Sequence, residues 1–455
     1  MNTFDLIILG GGPAGYLAAL RASKGGLKTA VFEKRFLGGV CLNEGCIPSK
    51  TLLNSAKIYE YATKGQKYGV TAENVVLDQA TVIARKNKVI KQLVGGIAMG
   101  MKRANVTLFN SYASIKGKKS DVFTVIADGE EYSAKKILIA TGSQPVLPHI
   151  PGLSEGIENG FCLTNREILE LKEIPDSLVV IGAGAVGLEM ASYYACAGSK
   201  VTVIEMLDKI AGSADEDISS ILLKNCKRKG VNFKLNCKVT QINASGVAYE
   251  EKGELQSVEA SKVLVSIGRK PAIDGLGLEN IGVKIENNAI VTDEKLRTNV
   301  EGVYAAGDVN GKLMLAHTAF REAEVAANDM LGIDDKMKYN TVPTVIYTNP
   351  EIASVGETLE SAEQKGMKVK AVSVSMRMSG RYVAEVEGGN GIAKLIVDTK
   401  TNTLVGVHLA GSYVSEIIYG AALMIETEMQ IDGLKKIVFP HPTVCEVIRE
   451  ALFEI

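Results

Sequence analysis

The stretch FDLIILGGGPAG, residues 4–15, decides the fold of this chain. A short apolar run ends in a cluster of glycines, and the pattern from Tyr16 to Lys24 is typical of a helix. A second apolar run, Thr29–Phe32, then ends at Glu33. In such a unit the first glycine makes a tight turn, the second lets the backbone approach a pyrophosphate, and the third lets the helix pack on the strand. The stretch therefore predicts a Rossmann-like, dinucleotide-binding unit.

The same pattern occurs a second time, in SLVVIGAGAVG, residues 177–187. A helix through Ala197 and a strand over Lys200–Ile204 follow, and the strand ends at Glu205. In both copies the acidic residue lies 23 positions after the first glycine, where a carboxylate can accept hydrogen bonds from ribose hydroxyls. A carboxylate at Glu205 would repel a 2′-phosphate, so the second site is predicted to prefer NAD to NADP.

A pair of cysteines lies between the two copies, in GGVCLNEGCIPSK, residues 38–50. Cys41 and Cys46 have four residues between them, and Pro48 can open a helix. Such a pair can close into a disulfide and reopen, and the alternative is a pair of buried free thiols. Beside a bound flavin, the pair would pass electrons between sulfur and a nicotinamide. A helix N-terminus at Cys46 would favour its thiolate.

Composition excludes several classes of protein. At 455 residues the chain is too long for one core and predicts three or four domains. The net charge of −1 argues against nucleic acid or an anionic membrane as the main partner. We expect no membrane span, since no apolar run approaches the ~20 residues required, and no signal peptide. The seven cysteines and four histidines show no metal-ligand spacing, so no metal is expected, and a reducing cytoplasm suits five free thiols.

With these motifs, the chain resembles the flavin-dependent pyridine nucleotide–disulfide oxidoreductases over its whole length, 1–455. Three further segments carry the resemblance: IATGS at 139–143, SIGRKP at 266–271 and VYAAGD at 303–308. Within that family the chain is most similar to the dihydrolipoamide-oxidising members.

The resemblance implies an α/β fold with two Rossmann-like nucleotide-binding domains, for FAD and NAD, plus a C-terminal α+β interface or dimerisation domain. The implied boundaries are 1–143 for the FAD domain, 144–271 for the NAD domain, 272–338 for a segment completing the FAD site, and 339–455 for the interface domain.

Site residues are implied by position within the family motifs. For FAD and the flavin edge these are Gly10, Gly12, Pro13, Ala14, Gly15, Glu33, Lys34, Gly39, Val40, Lys50, Ala113, Thr141, Gly142, Ser143, Asp308 and Ala316. For NAD they are Gly182, Gly184, Ala185, Val186, Gly187, Glu189, Glu205, Val239 and Gly268. Lys50 and Glu189 are implied to form an ion pair beside the flavin, although the residues alone are equally consistent with two surface charges.

A candidate base lies near the C-terminus, in FPHPTVCE, residues 439–446. Prolines on both sides restrict the backbone that carries His441. Glu446, five residues on, can reach one ring nitrogen, set the tautomer and stabilise the imidazolium. A lone histidine is usually structural, but the resemblance implies a catalytic base that serves the other subunit of a homodimer.

Three residues depart from the commonest family pattern. Phe439 stands where many relatives have a second histidine, and Cys445 stands where serine is common. Glu44 lies between the two cysteines and should raise a thiol pKa if it is buried. Cys445 is best interpreted as a small buried residue.

Coarse secondary structure adds three expectations. Residues 57–101 should be largely helical with a break, and Lys86, Lys88 and Lys91 should form a solvated face. Residues 344–352 and 391–409 should be strands. Residues 388–391, Gly-Gly-Asn-Gly, should be a hairpin turn.

The implied reaction is oxidation of a dihydrolipoyl group by NAD, with Cys41 as the interchange thiol and Cys46 beside the flavin. The implied partners are a lipoyl-bearing protein or lipoamide, a second copy of the chain, and a docking site on an acyltransferase or glycine cleavage assembly. Alternatives are an NADH-dependent reductase of another small disulfide, an interaction subunit and a slow flavin redox sensor. Which lipoyl-dependent complex is served cannot be read from the chain.

Overall fold

The computed structural model describes residues 2–455. The chain divides into two compact units. Of the described residues, the first comprises 2–51, 81–146 and 268–338, and the second comprises 52–80, 147–267 and 339–455.

The first unit contains a seven-stranded sheet. In sheet order its strands are Thr107–Phe109, Thr29–Phe32, Asn2–Leu9, Glu130–Ile139, Val122–Ala127 and Ala113–Lys119, with Val303–Ala305 also paired to Glu130–Ile139. Pairing is parallel around Asn2–Leu9 and antiparallel at the Ala113–Lys119 edge. Because the central strand is covered on both faces, its residues 6–9 are almost wholly buried.

Helices and short elements complete this part of the chain. The helices are Pro13–Lys24, Gly39–Glu44, the start of Cys46–Thr63, Gln79–Arg103 from residue 81 onward, and Ala316–Met330, with 3₁₀ turns at Glu279–Ile281 and Asp308–Asn310. Residues 52–80, which include the rest of Cys46–Thr63 and the 3₁₀ turn Gly65–Tyr68, are counted with the second unit. Two small strand pairs join Ser143–Pro145 to Arg269–Pro271 and Ile285–Glu286 to Ala289–Ile290. The first helix buries Ala14, Ala18 and Ala22, which recur every fourth residue and form one narrow apolar face.

The second unit begins with a parallel sheet of its own. Its strands are Asn232–Lys234, Lys200–Ile204, Ser177–Ile181, Lys262–Val265 and Cys162–Leu163. The accompanying helices are Leu153–Glu158, Asn165–Ile168, Ala185–Cys196 and Glu216–Arg228, and an antiparallel meander covers Cys237–Asn243, Gly246–Glu251 and Glu254–Glu259.

The C-terminal part of the second unit is an antiparallel sheet with helices. In sheet order the strands are Thr344–Ile346, Glu351–Gly356, Thr403–Gly411, Ile392–Asp398 and Val369–Ser375. The helices are Leu359–Gln364, Gly380–Glu385, Val414–Glu426, Ile431–Leu434 and Glu446–Phe453, with a 3₁₀ turn at Met376–Met378. One apolar core joins the sheet to the helices at Val414–Glu426 and Glu446–Phe453.

Several sequence expectations were wrong in detail. Lys86 is fully buried, while Lys88 and Lys91 are exposed, so the three do not share one solvated face. By contrast, the expected strands at 344–352 and 391–409 are confirmed: the first range contains Thr344–Ile346 and the start of Glu351–Gly356, and the second contains Ile392–Asp398 and most of Thr403–Gly411.

The predicted hairpin at 388–391 was also wrong. Val369–Ser375 and Ile392–Asp398 do pair antiparallel, but residues 376–391 connect them through a 3₁₀ turn and a helix. Gly388 has φ +69°, so the glycine is used to leave that helix rather than to close a tight hairpin.

Within residues 2–455, no helix is both long and apolar enough to cross a bilayer. The same residues contain no cluster of three or more His, Cys, Asp or Glu side chains that could hold a metal ion.

Candidate nucleotide and dithiol sites

The first glycine cluster has the geometry of a phosphate-binding turn. Gly10 has φ +104°, and a Cβ at this position would overlap the carbonyl oxygen of Ala140. A Cβ on Gly15 would overlap the carbonyl oxygen of Gly10, so the helix packs on the turn only without a side chain there. Gly12 caps the helix Pro13–Lys24 with no side-chain hydrogen bond. The first N–H groups of the helix are therefore available to an anion.

Glu33 is held against this turn. Its carboxylate accepts hydrogen bonds from the N–H of Gly11 at 2.8 Å and from the N–H of Arg35 at 2.7 Å. Lys34 is exposed, with Nζ lying 5.5 Å from the centroid of the Tyr112 ring. The carboxylate thus lies where the second strand ends, as the sequence predicted for a ribose-binding acid.

Asp308 lies in the same unit, in a short 3₁₀ turn. Its carboxylate accepts a hydrogen bond from the hydroxyl of Ser143. The Ser143 oxygen in turn accepts one from Nε of Arg269 at 2.7 Å, and Nη2 of Arg269 donates to the Ser143 carbonyl at 2.9 Å. Sequence reasoning quoted Arg269 only as part of a motif and missed this anchoring role.

The remaining predicted flavin-side residues fall in turns and at element ends of the first unit. Ala113 opens a strand and is buried, and Ala316 is the first residue of a helix without a side-chain cap. Thr141 donates to the Ala272 carbonyl at 2.8 Å, and Gly142 has φ +71° with open space around it.

Glu322 was missed by sequence reasoning. It is fully buried and accepts from the N–H of Gly307 at 2.6 Å, which orients the turn carrying Asp308.

The second glycine cluster repeats the first in the second unit. Gly182 has φ +99°, and its Cβ would lie 2.7 Å from the Ser266 carbonyl oxygen. A Cβ on Gly187 would overlap the Gly182 carbonyl, whereas Gly184 faces open space. Glu205 accepts from the N–H of Ala183 at 2.6 Å and of Leu207 at 2.9 Å. This turn fits a dinucleotide. Backbone atoms occupy the space where a Cβ on Gly182 or Gly187 would lie, whereas the space beside Gly184 is open to a pyrophosphate.

The other predicted NAD-side residues are distributed as follows. Ala185 and Val186 form the first turn of the helix Ala185–Cys196, and Val186 is 40% exposed. Val239 is half-buried against the meander core. Gly268 has φ +126° and belongs to the first unit.

The two cysteines of the dithiol are brought together beside the first glycine cluster. Cys41 lies in the helix Gly39–Glu44, and Cys46 is the first residue of the helix Cys46–Thr63. The N–H of Gly38 donates to the Gly11 carbonyl at 2.8 Å, which fastens the cysteine loop to the glycine turn. A Cβ on Gly39 would lie 2.7 Å from the Gly12 Cα, so Val40 and the cysteines follow a backbone in direct contact with the turn.

Both cysteines are thiols rather than a disulfide in this structure, and both are half-buried. A hydrogen bond with Cys46, followed by burial, raises the pKa of the Cys41 thiol far above its ordinary value, and the charge of Lys50 opposes that rise. Burial and the neighbouring cysteines raise the pKa of Tyr16 to about 12, so its hydroxyl remains protonated at neutral pH. In the reduced pair, Cys41 therefore retains its proton.

Glu44 is buried. A buried carboxylate at this position was expected to raise the pKa of a neighbouring thiol. Glu44 forms a 2.6 Å ion pair with Arg35, however. Because the guanidinium compensates the carboxylate, Glu44 has little net charge to exert on Cys41. Asn43, missed by sequence reasoning, closes the loop by donating to the carbonyls of Leu37 at 3.1 Å and Gly39 at 2.8 Å.

Lys50 and Glu189 belong to different units, and their predicted ion pair stays a prediction. Lys50 lies one helical turn after Cys46. Glu189 is only 5% exposed, and its carboxylate accepts from the N–H of Tyr347 at 3.1 Å. A buried carboxylate held by a main-chain donor is inconsistent with an ordinary surface charge.

The histidine and glutamate near the C-terminus form a pair. Nδ1 of His441 lies 2.9 Å from Oε1 of Glu446, and the N–H of Thr443 donates to Oε2 of Glu446 at 2.8 Å. The Thr443 N–H and then the imidazole lower the pKa of Glu446. The His441 side chain is 77% exposed, so its Nε2 edge is open to an incoming group. Cys445 is half-buried, with Sγ 3.0 Å from the Thr443 hydroxyl.

Comparison with known proteins agrees with this geometry. Residues 4–323 match the model of the pyridine nucleotide-disulphide oxidoreductase domain, and residues 342–452 match the dimerisation domain of the same proteins. The chain therefore belongs to the pyridine nucleotide-disulphide oxidoreductase family.

Individual members of this family are similar to the chain over its full length. The chain is 37% identical to the dihydrolipoyl dehydrogenase of Mycoplasma pneumoniae, with 99% of each chain covered. Among solved structures it is similar to LpdA from Mycobacterium tuberculosis, with 26% identity, a TM-score of 0.90, and 100% of this chain and 99% of that chain covered. It is also similar to the copper(II) complex of the HOCl-induced flavoprotein disulfide reductase RclA from Escherichia coli, with 27% identity, a TM-score of 0.87 and 100% of both chains covered.

Proposed function

We propose that this chain is a dihydrolipoyl dehydrogenase, which oxidises dihydrolipoyl groups to lipoyl groups with NAD⁺ as the acceptor. The observation that carries the proposal is the Cys41–Cys46 pair, hydrogen-bonded and fastened through Gly38 to the first glycine turn. Relatives of this activity match the chain over its full length.

The cofactors are FAD and NAD. Gly10, Gly12, Gly15 and Glu33 would hold FAD at one end, and Ser143, Asp308 and the helix start at Ala316 would hold it at the other. Gly182, Gly184, Gly187 and Glu205 would hold NAD. Bound FAD supplies two-electron transfer between a dithiol and a nicotinamide.

The dithiol step follows from the positions of the side chains. His441, oriented by Glu446, takes the proton from one substrate thiol, and the substrate thiolate attacks Sγ of Cys41 in the oxidised pair. The Cys41–Cys46 bond breaks, and its electron pair leaves on Cys46. The second substrate thiol then loses its proton and displaces Cys41, which is protonated and released. The substrate ends as a disulfide and the enzyme as a dithiol.

The chain works as a homodimer on lipoyl substrates. In the proposed arrangement His441 serves the active site of the partner subunit, so each dimer has two shared sites. The FAD, NAD, FAD-completing and interface domains are proposed at 1–143, 144–271, 272–338 and 339–455. We further propose a lipoyl-bearing protein as the substrate carrier, docking to an acyltransferase or glycine cleavage assembly, and a cytoplasmic location.

A second candidate function is reduction of another small disulfide by NADH. The similarity to RclA, a disulfide reductase, favours it. The two functions use the same dithiol and differ in the substrate that reaches Cys41.

The test is NADH formation by the FAD-loaded protein from dihydrolipoamide, with NAD and NADP in parallel. We expect rapid turnover with NAD and at least about tenfold less with NADP, since the Glu205 carboxylate repels a 2′-phosphate. No turnover with flavin bound and the Cys41–Cys46 pair chemically intact would reject the activity, and NADH oxidation with other small disulfides would then test the second candidate.

A further inference from the structure

The loop that carries His441 is anchored at both ends in the core of the dimerisation domain. Phe439 packs against that core, and Val444 is only 4% exposed within it. His441 lies between these anchors with its side chain 77% exposed. An exposed side chain has little packing of its own, so its position depends on the backbone of the loop.

Ser379 fastens that backbone from a neighbouring segment. Its hydroxyl donates to the Thr443 carbonyl at 2.9 Å and accepts from the N–H of Tyr382 at 3.2 Å. Ser379 is 1% exposed and directly precedes the helix Gly380–Glu385. Because the helix N–H fixes the acceptor side of the oxygen, the donated hydrogen is directed at Thr443.

Thr443 connects this contact to the base. Its N–H holds Oε2 of Glu446 at 2.8 Å, while the other carboxylate oxygen holds Nδ1 of His441 at 2.9 Å. The Thr443 hydroxyl also donates to the Pro440 carbonyl at 2.7 Å, which closes the turn around His441. A shift of Thr443 therefore moves Glu446 and His441 relative to one another.

We propose that Ser379 is a positioning residue for the His441–Glu446 pair, acting through the carbonyl of Thr443. The inference rests on the proposed function for its catalytic consequence. Besides the pair itself, two ionisable groups lie on this loop and helix: the Cys445 thiol, which contacts the Thr443 hydroxyl, and Arg449, whose charge acts on Glu446.

The primary experiment compares Ser379→Ala with the wild type in two reactions of the FAD-loaded dimer. One is dihydrolipoamide oxidation by NAD, which needs the base. The other is NADH oxidation by ferricyanide, a one-electron acceptor that does not. We expect kcat for dihydrolipoamide to fall on the order of tenfold with KM little changed, because a base displaced by a fraction of an ångström loses alignment. Ferricyanide reduction should stay within about twofold of the wild type.

The pH dependence gives a readout that a merely structural role would not move. A loosened Glu446 stabilises the imidazolium less, so the acid limb of kcat/KM should shift to lower pH in Ser379→Ala. With only four histidines in the chain, the His441 resonance can be followed directly by NMR with labelled histidine. The pH dependence of this resonance should differ between Ser379→Ala and the wild type, and this measurement needs no substrate.

Two further variants complete the design. Ser379→Thr keeps the hydroxyl and should restore most of the activity and the wild-type titration. Ser375 is the matched control, since it caps the adjacent 3₁₀ turn by accepting from the N–H of Arg377 at 3.2 Å, and its side chain has no part in the His441 loop. Ser375→Ala should behave as the wild type. If Ser379→Ala does not fold, Ser379→Cys, close in size but a weak donor, takes its place and should show the same changes to a smaller extent.

An unchanged kcat and an unchanged His441 titration in Ser379→Ala would overturn the proposal. Equal losses in both reactions, with no shift in the titration, would also overturn it, because they would indicate a structural cap only. If the wild type itself does not oxidise dihydrolipoamide, the proposed function fails, and the NMR titration still decides whether Ser379 positions the pair.

Discussion

At the scale of single residues, the chemistry depends on side chains that are held rather than free. Glu33 and Glu205 each accept two main-chain N–H groups, one from the glycine turn itself. Glu446 likewise accepts one main-chain N–H and pairs with an imidazole. A carboxylate fixed in this way loses little further freedom when it binds or acts, which is the physical basis of preorganisation.

The dithiol gives a direct test at this scale. Cys41→Ser should retain bound flavin and NADH oxidation by ferricyanide, while dihydrolipoamide turnover falls by at least about a thousandfold, since the attacked sulfur is gone. Cys196→Ser is the matched control, because that thiol is also half-buried but only donates to the Ala56 carbonyl at 3.4 Å. Both reactions are measured spectrophotometrically at equal flavin content. Dihydrolipoamide turnover by Cys41→Ser at the wild-type rate would refute the mechanism.

Contacts made only in the folded chain explain which residues could not be identified from the sequence. Arg269, Glu322 and Asn43 act through contacts with residues distant in sequence or with main-chain atoms, for which the chain has no local spacing rule. Lys86 was expected in solvent because lysine is seldom buried, and the fold buries it completely. Each of these depends on what packs around the side chain.

At the scale of elements, different glycines of one cluster serve helix packing and nucleotide binding. In the second cluster, Gly187 lies where any Cβ would strike the Gly182 carbonyl, while Gly184 faces open space with φ −78°. One position is required by the contact between helix and strand. The other is free in the protein alone and would be approached by a pyrophosphate.

Alanine substitutions at the two glycines should distinguish the effect on stability from the effect on NAD binding. Gly187→Ala should destabilise the protein by roughly 1–3 kcal/mol, because the helix must move away from the strand. Gly184→Ala should leave the melting temperature nearly unchanged and weaken NAD binding on the order of tenfold, or about 1.4 kcal/mol. Calorimetry gives the stability and titration with NAD gives the affinity. Equal losses of stability in the two variants would contradict this division.

At the scale of the whole molecule, the dimerisation domain exposes several large apolar side chains within a single chain. On the helix Val414–Glu426, Tyr419 is 72% and Leu423 is 51% exposed, and these residues are one turn apart on the same face. Val438 in the following segment is 90% exposed. A homodimer gives these side chains a place to be buried.

Charges on this face should therefore separate the subunits. Tyr419→Glu combined with Leu423→Glu should yield a monomer that binds FAD and reduces ferricyanide. Its dihydrolipoamide turnover should fall by about 10²–10⁴-fold, as expected for loss of a general base supplied by the partner. Leu255→Glu, at a site 74% exposed on the strand Glu254–Glu259, is the control and should remain dimeric. Light scattering after size exclusion gives the mass, and a fully active monomer would disprove shared active sites.

The sequence by itself determined the class of the molecule. Glycine spacing, the acid at a constant distance, and the pair at Cys41 and Cys46 are local patterns, and each follows from backbone geometry over a few neighbouring residues. The strands Ser177–Ile181 and Lys200–Ile204 were accordingly predicted to the residue. The pairing of His441 with Glu446 was accessible for the same reason, since five residues separate them.

Only the tertiary structure decided how distant segments hold those groups. It joined Gly38 to Gly11, paired Glu44 with Arg35, placed residues 388–391 after a helix instead of in a tight hairpin, and directed the Ser379 hydroxyl at the loop that carries His441. These contacts depend on which surfaces come together after hydrophobic burial, a long-range choice that local sequence preferences do not encode.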